Sequence, residues 1–361
     1  MPVTQQDVAE AARVSVSTVC LVLRDDPRIS ERTRRRVLQA AQEVGYVART
    51  ALHAPGGVHH LGVLIAEGSA HPSADHFFGE VLRGVTEEAE RGGHTVSVAA
   101  FGGHDLPRLV REGRAHGLIL GGNPITEGVL ERVRALTVPS VFIGRYPGHL
   151  SLSAVLTDNP AGGQLATEHL LGLGRRRVGF ISGDPAESFM NDDRLVGYRR
   201  ALQLAGAQPG PTWFARGAAM GGVEGGARAV HDLLDGGETF DALFVAEDHM
   251  ALGALRALRE RGVRVPDDVA VVGYSDIHLA GLSDPPLTTV HVPRRRLGRA
   301  AARLLDDLLT GRVEPPLHVT VPPRLVVRGS CGAMTPSSAR PPPGSARSSP
   351  PSAPTPPGGT T

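Results

Sequence analysis

Short apolar runs alternate with amphipathic helical segments from Leu61 to about Val327, and this alternation constrains the fold more than any other feature. The runs include LGVLIA, TVSVAAF, GLILGG, SVFIG, RVGFISG, ALFVAE and VAVVGYS. Between them lie helical patterns such as residues 77–91, whose apolar face comprises Phe78, Val81, Leu82, Val85 and Ala89. Parallel strands need long crossover connections, so the alternation predicts an α/β architecture of doubly wound parallel sheets.

The length and composition of the chain favour a soluble protein with more than one folded unit. Its 361 residues exceed what one hydrophobic core usually serves. It has no apolar run near 18 residues, and its first residues, MPVTQQDVAEAA, lack the basic-then-apolar order of a signal peptide. We therefore expect a cytoplasmic protein with no membrane partner. The only two cysteines, Cys20 and Cys331, form no CxxC pattern, and we expect no metal and no cofactor.

Residues 1 to about 46 have the pattern of three short helices. Thr4 can cap a helix that ends at Ala12, Ser15 can cap a second, and Ser30 a third. The residues predicted to face inward are Val8, Ala9, Ala12, Val19, Val22, Leu23, Val37, Leu38, Ala41 and Val44. Two short helices joined by about three residues, with a third that closes their core, predict a helix-turn-helix unit.

In a helix-turn-helix unit, the first residues of the second helix face base edges in the major groove of DNA. In this chain those residues are Val16, Ser17 and Thr18. Nearby arginines can contact phosphates, and they are Arg28, Arg32, Arg34, Arg35 and Arg36. The pattern alone leaves an alternative open, a three-helix bundle with a solvated arginine face.

The segments DVAEAARVSVSTVCLVL and ISERTRRRVLQAAQEVGY resemble the DNA-binding headpiece of the LacI/GalR family of bacterial transcription regulators. Four later segments resemble the effector-binding core of that family in the same order, namely TDNPAGGQLATEHLLGLGRRRVGFISG, RLVGYRRAL, AEDHMALGALRALRERGVRVPDDVAVVGYSD, and PPLTTVHVP with the LGRAAARLLDDLL that follows it. The likeness therefore covers residues 4 to about 330. It implies a sequence-specific transcriptional regulator, with repression as the commoner mode, that binds an imperfect palindrome of double-stranded DNA as a homodimer.

The resemblance also implies a division of the chain. A helix-turn-helix headpiece at 1–46 would be followed by a hinge at 47–60 and by a core at 61–330 built like a periplasmic binding protein. One lobe of the core would comprise about 61–157 with 291–320, and the other about 158–290 with the last strand, RLVVRG. A small-molecule effector, a sugar first of all, would bind between the lobes and switch operator affinity. Residues 334–361 are mostly Pro, Ser, Gly and Thr, a composition that predicts disorder.

The headpiece departs from the family at several positions. Arg13 stands where the family turn usually has Gly, which predicts a residue with positive φ. Leu21 stands where the family commonly has Arg, and it joins Thr4 and Ser15 among the predicted DNA-contacting residues. Pro55 falls near the place of the leucine that enters the minor groove in the family, and Leu52 is predicted to take that role.

Ligands of open α/β sheets sit beyond the carboxyl ends of the strands. Arg194, Asp248 and Asp276 each follow a predicted strand, and the first two match effector-contacting residues of the family. A carboxylate and a guanidinium suit a polyhydroxyl ligand, because one accepts and the other donates several hydrogen bonds. The alternatives are a helix N-cap for Asp248, a solvated surface residue for Arg194 and a structural role for Asp276. Phe77 or Phe78 is predicted to contact the effector from the first lobe.

No catalytic motif is complete. VGYSDI begins like a nucleophile elbow, but Ile277 stands where that motif needs Gly, and neither HExxH nor a Walker loop occurs. The sequence therefore predicts that the chain is not an enzyme. The alternative function is a sugar-binding protein or sugar-processing enzyme that shares the fold without regulating genes, and the DNA-binding pattern at the N-terminus disfavours it.

Overall fold

The computed structural model describes residues 4–23, 28–44, 59–66, 75–101, 107–122, 127–136, 138–146, 151–183, 189–215 and 222–333. In these ranges three helices precede two six-stranded sheets that alternate with helices, which confirms the predicted fold class. Residues 45–58, which hold most of the predicted hinge, and residues 334–361, the predicted tail, lie outside this description. None of the helices in the described ranges has the length and apolar character needed to span a bilayer.

The N-terminal helices are α1 (Gln5–Ala12), α2 (Val16–Leu23) and α3 (Glu31–Glu43). Their three predicted caps are confirmed. The Thr4 side chain accepts a hydrogen bond from the backbone of Asp7 in a capping box. Ser15 Oγ accepts from the Thr18 amide at 3.1 Å, and Ser30 Oγ accepts from the Thr33 amide at 3.3 Å.

The core between these three helices follows the predicted pattern with one correction. Its buried residues are Val8, Ala9, Ala12, Val19, Val22, Val37, Ala40 and Ala41. Leu38 was predicted to face inward, but 48% of it is exposed. The inward positions of α3 are 37, 40 and 41, and Leu38 lies about 100° around the helix from Val37. The side chain of Leu23 lies outside the described residues.

The first sheet has the strand order β11-β5-β4-β3-β1-β2, and every pair in it is parallel. Its strands are β1 (His60–Ala66), β2 (Thr95–Phe101), β3 (Gly117–Gly121), β4 (Ser140–Ile143), β5 (Ser153–Thr157) and β11 (His318–Val321). Its helices are α4 (Asp75–Arg91), α5 (Arg108–Arg111), α6 (Glu127–Ala135) and α11 (Arg294–Leu309). On α4, Val81, Val85 and Ala89 are buried and Phe78 and Leu82 are partly buried, as the spacing predicts.

The second sheet has the order β12-β10-β9-β8-β6-β7, in which the pair of β10 with β12 is antiparallel and the other pairs are parallel. Its strands are β6 (Val178–Gly183), β7 (Thr212–Ala215), β8 (Ala242–Val245), β9 (Ala270–Ser275), β10 (Thr288–His291) and β12 (Arg324–Val326). Its helices are α7 (Asn159–Gly172), α8 (Phe189–Leu204), α9 (Gly222–Asp235) and α10 (Asp248–Glu260). Since β11 belongs to the first sheet, the chain crosses between the sheets three times.

All seven apolar runs that the sequence indicates as strands are strands, and the last strand, β12, pairs in the second sheet as expected. The runs did not include β5, β7, β10 and β11, which have only four or five residues each.

Two glycines bring α7 and α8 into close contact and thereby position the start of α8. A Cβ atom on Gly163 would lie 2.3 Å from the carbonyl oxygen of Arg194. A Cβ atom on Gly197 would lie 2.1 Å from the carbonyl oxygen of Pro160. Only glycine allows backbones to approach this closely, so the two helices hold Arg194 at a fixed place beside α7.

Candidate nucleic-acid interface and effector site

The first turn of α2 presents the residues that the sequence predicts as base-reading. Ser15, Val16 and Ser17 are exposed and Thr18 is partly exposed, whereas Val19 and Val22 on the opposite face are buried. The helix therefore turns its N-terminal end outward while its apolar face holds it on the headpiece core. This is the orientation that a recognition helix needs to enter a major groove.

Hydroxyl groups organise this outward-facing turn. Ser15 Oγ and Thr18 Oγ1 form a hydrogen bond of 2.8 Å. Ser15 Oγ also accepts the cap hydrogen bond from the Thr18 amide. On the side facing α1, the Cys20 thiol donates to Gln5 Oε1 at 2.9 Å. Leu21 is partly buried, and Thr4 is exposed at the start of α1. Thr4 and Ser15 thus lie at the N-termini of α1 and α2, whereas Leu21 lies in the second half of α2.

The turn between α1 and α2 has the strained geometry that the sequence predicts. Arg13 has φ 50° and ψ 52°, in the left-handed region, and its amide donates back to α1. A residue with a Cβ atom adopts this conformation at a cost of about 1 kcal/mol or more. The turn nevertheless forms, because the packing of α1 against α2 and α3 fixes it.

Exposed arginines lie on α3 and in the segment just before it. Arg28, Arg32, Arg35 and Arg36 are exposed. The fifth predicted phosphate-contacting residue, Arg34, is partly buried, and its Nε lies 3.7 Å from Glu31 Oε1. Leu52, the predicted minor-groove residue, lies outside the described residues. The exposed guanidinium groups provide a positive surface of the kind that binds a phosphate backbone.

The second candidate site lies at the carboxyl ends of β6, β8 and β9, which are neighbours in the second sheet. Arg194 reaches this edge from α8 and is 9% exposed. Its Nη1 donates to the carbonyl oxygen of Ala246 at 2.6 Å, and its Nε donates to Asn159 Oδ1 at 3.2 Å. Its Cζ lies 4.0 Å from the ring centroid of Tyr274. The alternative that Arg194 is a solvated surface residue is therefore wrong.

Asp248 is the first residue of α10 and lies beneath this edge. It is 0% exposed, and both of its carboxylate oxygens are engaged. Oδ1 accepts from the Thr289 hydroxyl at 2.6 Å, and Oδ2 accepts from the Ile277 amide at 2.9 Å. Burial raises the pKa of this carboxyl. The alternative role as helix N-cap is wrong by one residue, because Glu247 occupies that position. Its predicted contact with an effector stays a prediction.

Asp276 follows β9 in a strained stretch of backbone, with φ 57° directly after Ser275 at φ 125°. Its carboxylate accepts from His291 Nδ1 at 2.8 Å and from Arg328 Nη2 at 2.7 Å. Burial raises the pKa of Asp276, but these two hydrogen bonds outweigh burial and bring it to about 2. The residue links the ends of β9 and β10 to the segment after β12, which is a structural role compatible with the one the sequence suggested.

Phe77 and Phe78 lie on α4 with their ring centroids 5.1 Å apart. Phe78 covers the carboxyl end of β3, because a Cβ atom on Gly121 would lie 2.6 Å from Phe78 Cε1. The Phe77 ring faces the crossover to α11, with its centroid 5.6 Å from the Cζ of Arg294. The Phe78 ring therefore covers the end of β3, and the Phe77 ring lies beside the first residue of α11.

The sequence did not single out Arg145, Asp193 and Arg294, which the structure also brings to the ends of the sheets. Arg145 follows β4 of the first sheet and forms an ion pair with Asp193 on α8 of the second lobe. Burial raises the pKa of Asp193, while Arg145 opposes that change. The position of Arg145 just after a strand is a signal that could have indicated it. Within the described part of the chain, no group of His, Cys, Asp and Glu is arranged to hold a metal ion.

Comparisons with known proteins cover both candidate sites. Residues 4–48 match the family described as bacterial regulatory proteins, lacI family, and residues 167–331 match the periplasmic binding protein-like domain. The HTH-type transcriptional regulator CelR of Thermobifida fusca is 34% identical over 337 residues, which are 91% of this chain and 98% of CelR. The HTH-type transcriptional repressor CytR of Escherichia coli strain K12 is 32% identical, and the match covers 92% of this chain and 97% of CytR.

Two solved structures extend the similarity to three dimensions. A complex of the transcriptional regulator CelR with cellobiose has a TM-score of 0.67 and 32% identity, and the match covers 91% of this chain and 99% of that chain. The lac repressor dimer bound to operator and the anti-inducer ONPF has a TM-score of 0.65 and 29% identity, over 92% of this chain and 100% of that chain.

Proposed function

This chain belongs to the LacI family of bacterial regulatory proteins, and from that premise we propose that it is a homodimeric repressor whose operator affinity is switched by a small sugar-like effector. DNA-binding regulation is what its relatives have in common, and they are transcriptional regulators, not enzymes. The observation that carries the proposal is the exposed first turn of α2 in a chain whose similarity to such regulators covers 91% of its length.

In the proposed complex, the first turn of α2 enters the major groove. Val16, Ser17 and Thr18 contact base edges, and the exposed arginines contact phosphates. Thr4 and Ser15 lie at helix N-termini, where backbone amides point outward and favour a phosphate. Leu21 borders this surface, and Leu52 is proposed to enter the minor groove at the centre of a palindromic site. Two headpieces would then read two half-sites.

The proposed effector lies between the carboxyl ends of the two sheets. Arg194 donates to hydroxyl groups of the effector, and Phe77 and Phe78 contact its apolar side. We assign Asp248 and Asp276 to the framework that shapes this edge, because their oxygens accept hydrogen bonds from within the protein. A sugar is favoured because the CelR structure is described as a cellobiose complex and because the core resembles periplasmic binding proteins.

The two sites are coupled if the effector binds one arrangement of the lobes better than the other. A ligand shifts a two-state equilibrium only through such a difference in affinity, and allosteric coupling amounts to about 1–3 kcal/mol. The Arg145–Asp193 ion pair joins the ends of the two lobes and supports this proposal, because a change in the lobe angle must alter it. A regulator of this kind acts in the cytoplasm, where its operator lies.

The experiment that tests the function is the selection of bound duplexes from a random library by the full chain, followed by gel shifts on the enriched sequence. We expect a palindromic motif and an affinity that falls by about 10³–10⁵ between 50 and 200 mM salt if six to ten phosphates are contacted. A duplex with the same base composition in shuffled order is the control. If no motif is enriched over the starting library, the DNA-binding role is wrong and the sugar-binding alternative takes its place.

A further inference from the structure

Arg294 is a buried cation with an unused donor at the edge of the effector site. It begins α11 at the crossover from the second sheet to the first and is 9% exposed. Its Nη1 and Nη2 donate to the carbonyl oxygens of Asp276 and Ser275, and its Cζ lies 5.6 Å from the Phe77 ring centroid. Its Nε is buried and has no hydrogen-bond partner among the described residues.

Arg194 is a second buried guanidinium at the carboxyl end of β9. Arg194 is also 9% exposed and bonds to Asn159 Oδ1 and the Ala246 carbonyl oxygen, both neutral acceptors. It covers Tyr274, the residue that precedes the two carbonyl groups bound by Arg294. Within the described ranges neither arginine has a carboxylate within ion-pair distance, although a buried charge is costly unless it is paired.

The carboxylates that face Arg294 are already matched by other groups. Asp276 accepts from Arg328 and His291. Asp248 accepts hydrogen bonds from the Thr289 hydroxyl and the Ile277 amide. Glu80 on α4 is exposed and lies 3.9 Å from Arg83.

Asp193, next to Arg194, pairs with Arg145. Burial lowers the pKa of Arg294, while Asp248, Asp276 and Glu80 oppose that change. Arg194 and Arg294 are thus two buried guanidinium groups whose described hydrogen bonds all go to neutral acceptors.

The geometry points to an effector that carries an anionic group, a carboxylate or a phosphate on a polyhydroxyl skeleton, with that group bound by Arg294. This inference rests on the proposed function, because it assigns the chemical class of the effector at the same site. The anion accepts from the unused Nε–H of Arg294 and neutralises its buried charge, and the second buried guanidinium, Arg194, adds electrostatic attraction. Charge-assisted hydrogen bonds of this kind are about twice as strong as neutral ones.

The test compares neutral and acidic forms of the same sugar on the full chain. Thermal unfolding is measured with glucose, glucuronate and glucose 6-phosphate, with the three corresponding galactose compounds, and with inorganic phosphate, all at equal ionic strength. At one hundred times the dissociation constant, a bound acidic sugar raises the Tm by about 5–10 °C. The carboxylate and phosphate arms distinguish the two sources of negative charge, and a methyl ester of the preferred uronate removes the charge while it keeps the skeleton.

Two variants on one helix then locate the contact. Arg294→Gln is expected to weaken binding of the acidic sugar about 10- to 150-fold, as measured by titration calorimetry. Arg296→Gln removes the same charge from an exposed position of α11 and is expected to leave binding within about twofold of wild type. Because the ester comparison uses the wild-type chain, it remains decisive even if Arg294→Gln fails to fold.

The inference is overturned if no acidic compound in the panel stabilises the wild-type chain, if the neutral sugar or the ester stabilises it as strongly, or if both variants lose binding equally. These outcomes are separate from a failure of the proposed function. A chain that selects an operator but binds no acidic sugar refutes only the anionic effector. A chain that binds an acidic sugar but selects no duplex refutes the regulatory role.

Discussion

Replacing Asp248 with Ala separates a framework role for this carboxylate from direct contact with the effector. The side chain is 0% exposed and accepts from the Thr289 hydroxyl and the Ile277 amide. Thr289 is itself fully buried, and Ile277 is 9% exposed. The substitution therefore leaves two buried donors without an acceptor, in the segment that joins β9, β10 and α10.

The magnitude follows from these two donors. An unsatisfied buried donor costs about 1–3 kcal/mol, so two cost about 2–6 kcal/mol. Removal of the buried carboxylate offsets part of this destabilisation, since burial disfavours its charged form. We expect Asp248→Ala to lower the free energy of unfolding of the second lobe by about 2–4 kcal/mol. Asp248→Asn keeps the volume, and its amide can accept from the Ile277 amide while donating to the Thr289 hydroxyl, so we expect a cost of about 1 kcal/mol or less.

The chain contains one tryptophan, Trp213, which lies in β7 of the second sheet and reports the unfolding of that lobe. Urea unfolding followed by its fluorescence measures both variants, with Glu247→Ala as the control. Glu247 makes no cap bond, and its ion pair with His249 is partly exposed to solvent, so this substitution should change stability by less than about 1 kcal/mol. If Asp248→Ala unfolds at the same urea concentration as wild type yet no longer responds to effector, the framework role is wrong and the carboxylate contacts the ligand.

Three further predictions concern the headpiece and His59, which directly precedes β1. Thr18→Ala should relax discrimination at one base position by about 1–3 kcal/mol. Arg35→Ala should instead weaken binding to all duplexes alike and reduce the slope of log affinity against log salt concentration by about one. Equal effects of the two variants in gel shifts would show that the base-reading face is misassigned. Arg13→Gly should stabilise the left-handed turn by about 0.5–1 kcal/mol, because glycine adopts this conformation without strain. Slower amide hydrogen exchange in α1 and α2 would show this, and faster exchange would contradict the presence of strain at Arg13. Burial, with His94 and His116, holds the pKa of His59 below its usual 6.5, so the unfolded chain binds this proton at higher pH than the folded chain. The free energy of unfolding should therefore decrease as the pH falls below 6.5, and His59→Gln should make this decrease shallower. Parallel pH dependences in the two proteins would exclude His59 as the cause.

The headpiece and the central strands could be predicted because their signals are local. Thr4, Ser15 and Ser30 each cap a helix at the position where their hydroxyl precedes an apolar pattern. The missed strands are short, and β7 and β11 lie at sheet edges, where fewer positions need apolar residues. Leu38 was misplaced because adjacent apolar residues on α3 leave the choice of inward face to tertiary packing, which buries Ala40 instead.

The candidate effector site was only half predictable, for a physical reason. The order of strands and charged residues indicates that Arg194, Asp248 and Asp276 lie near the edge of one sheet, but it does not say which charges are neutralised there. Which charges are neutralised depends on partners far away in sequence, such as Thr289 for Asp248 and Arg328 for Asp276.

A ligand responds to the charge that remains after all internal pairs are made. In the described residues the acidic groups at this edge have such pairs, while two buried guanidiniums bond only to neutral acceptors. Two carboxylates among the three residues selected from sequence suggested a site that accepts hydrogen bonds from hydroxyl groups. The folded chain instead offers a net donor surface, because the same carboxylates are consumed in holding the strand ends together. The proposed preference for an acidic ligand thus depends on the partners that the whole fold brings together, and the local sequence around any one of these residues does not reveal it.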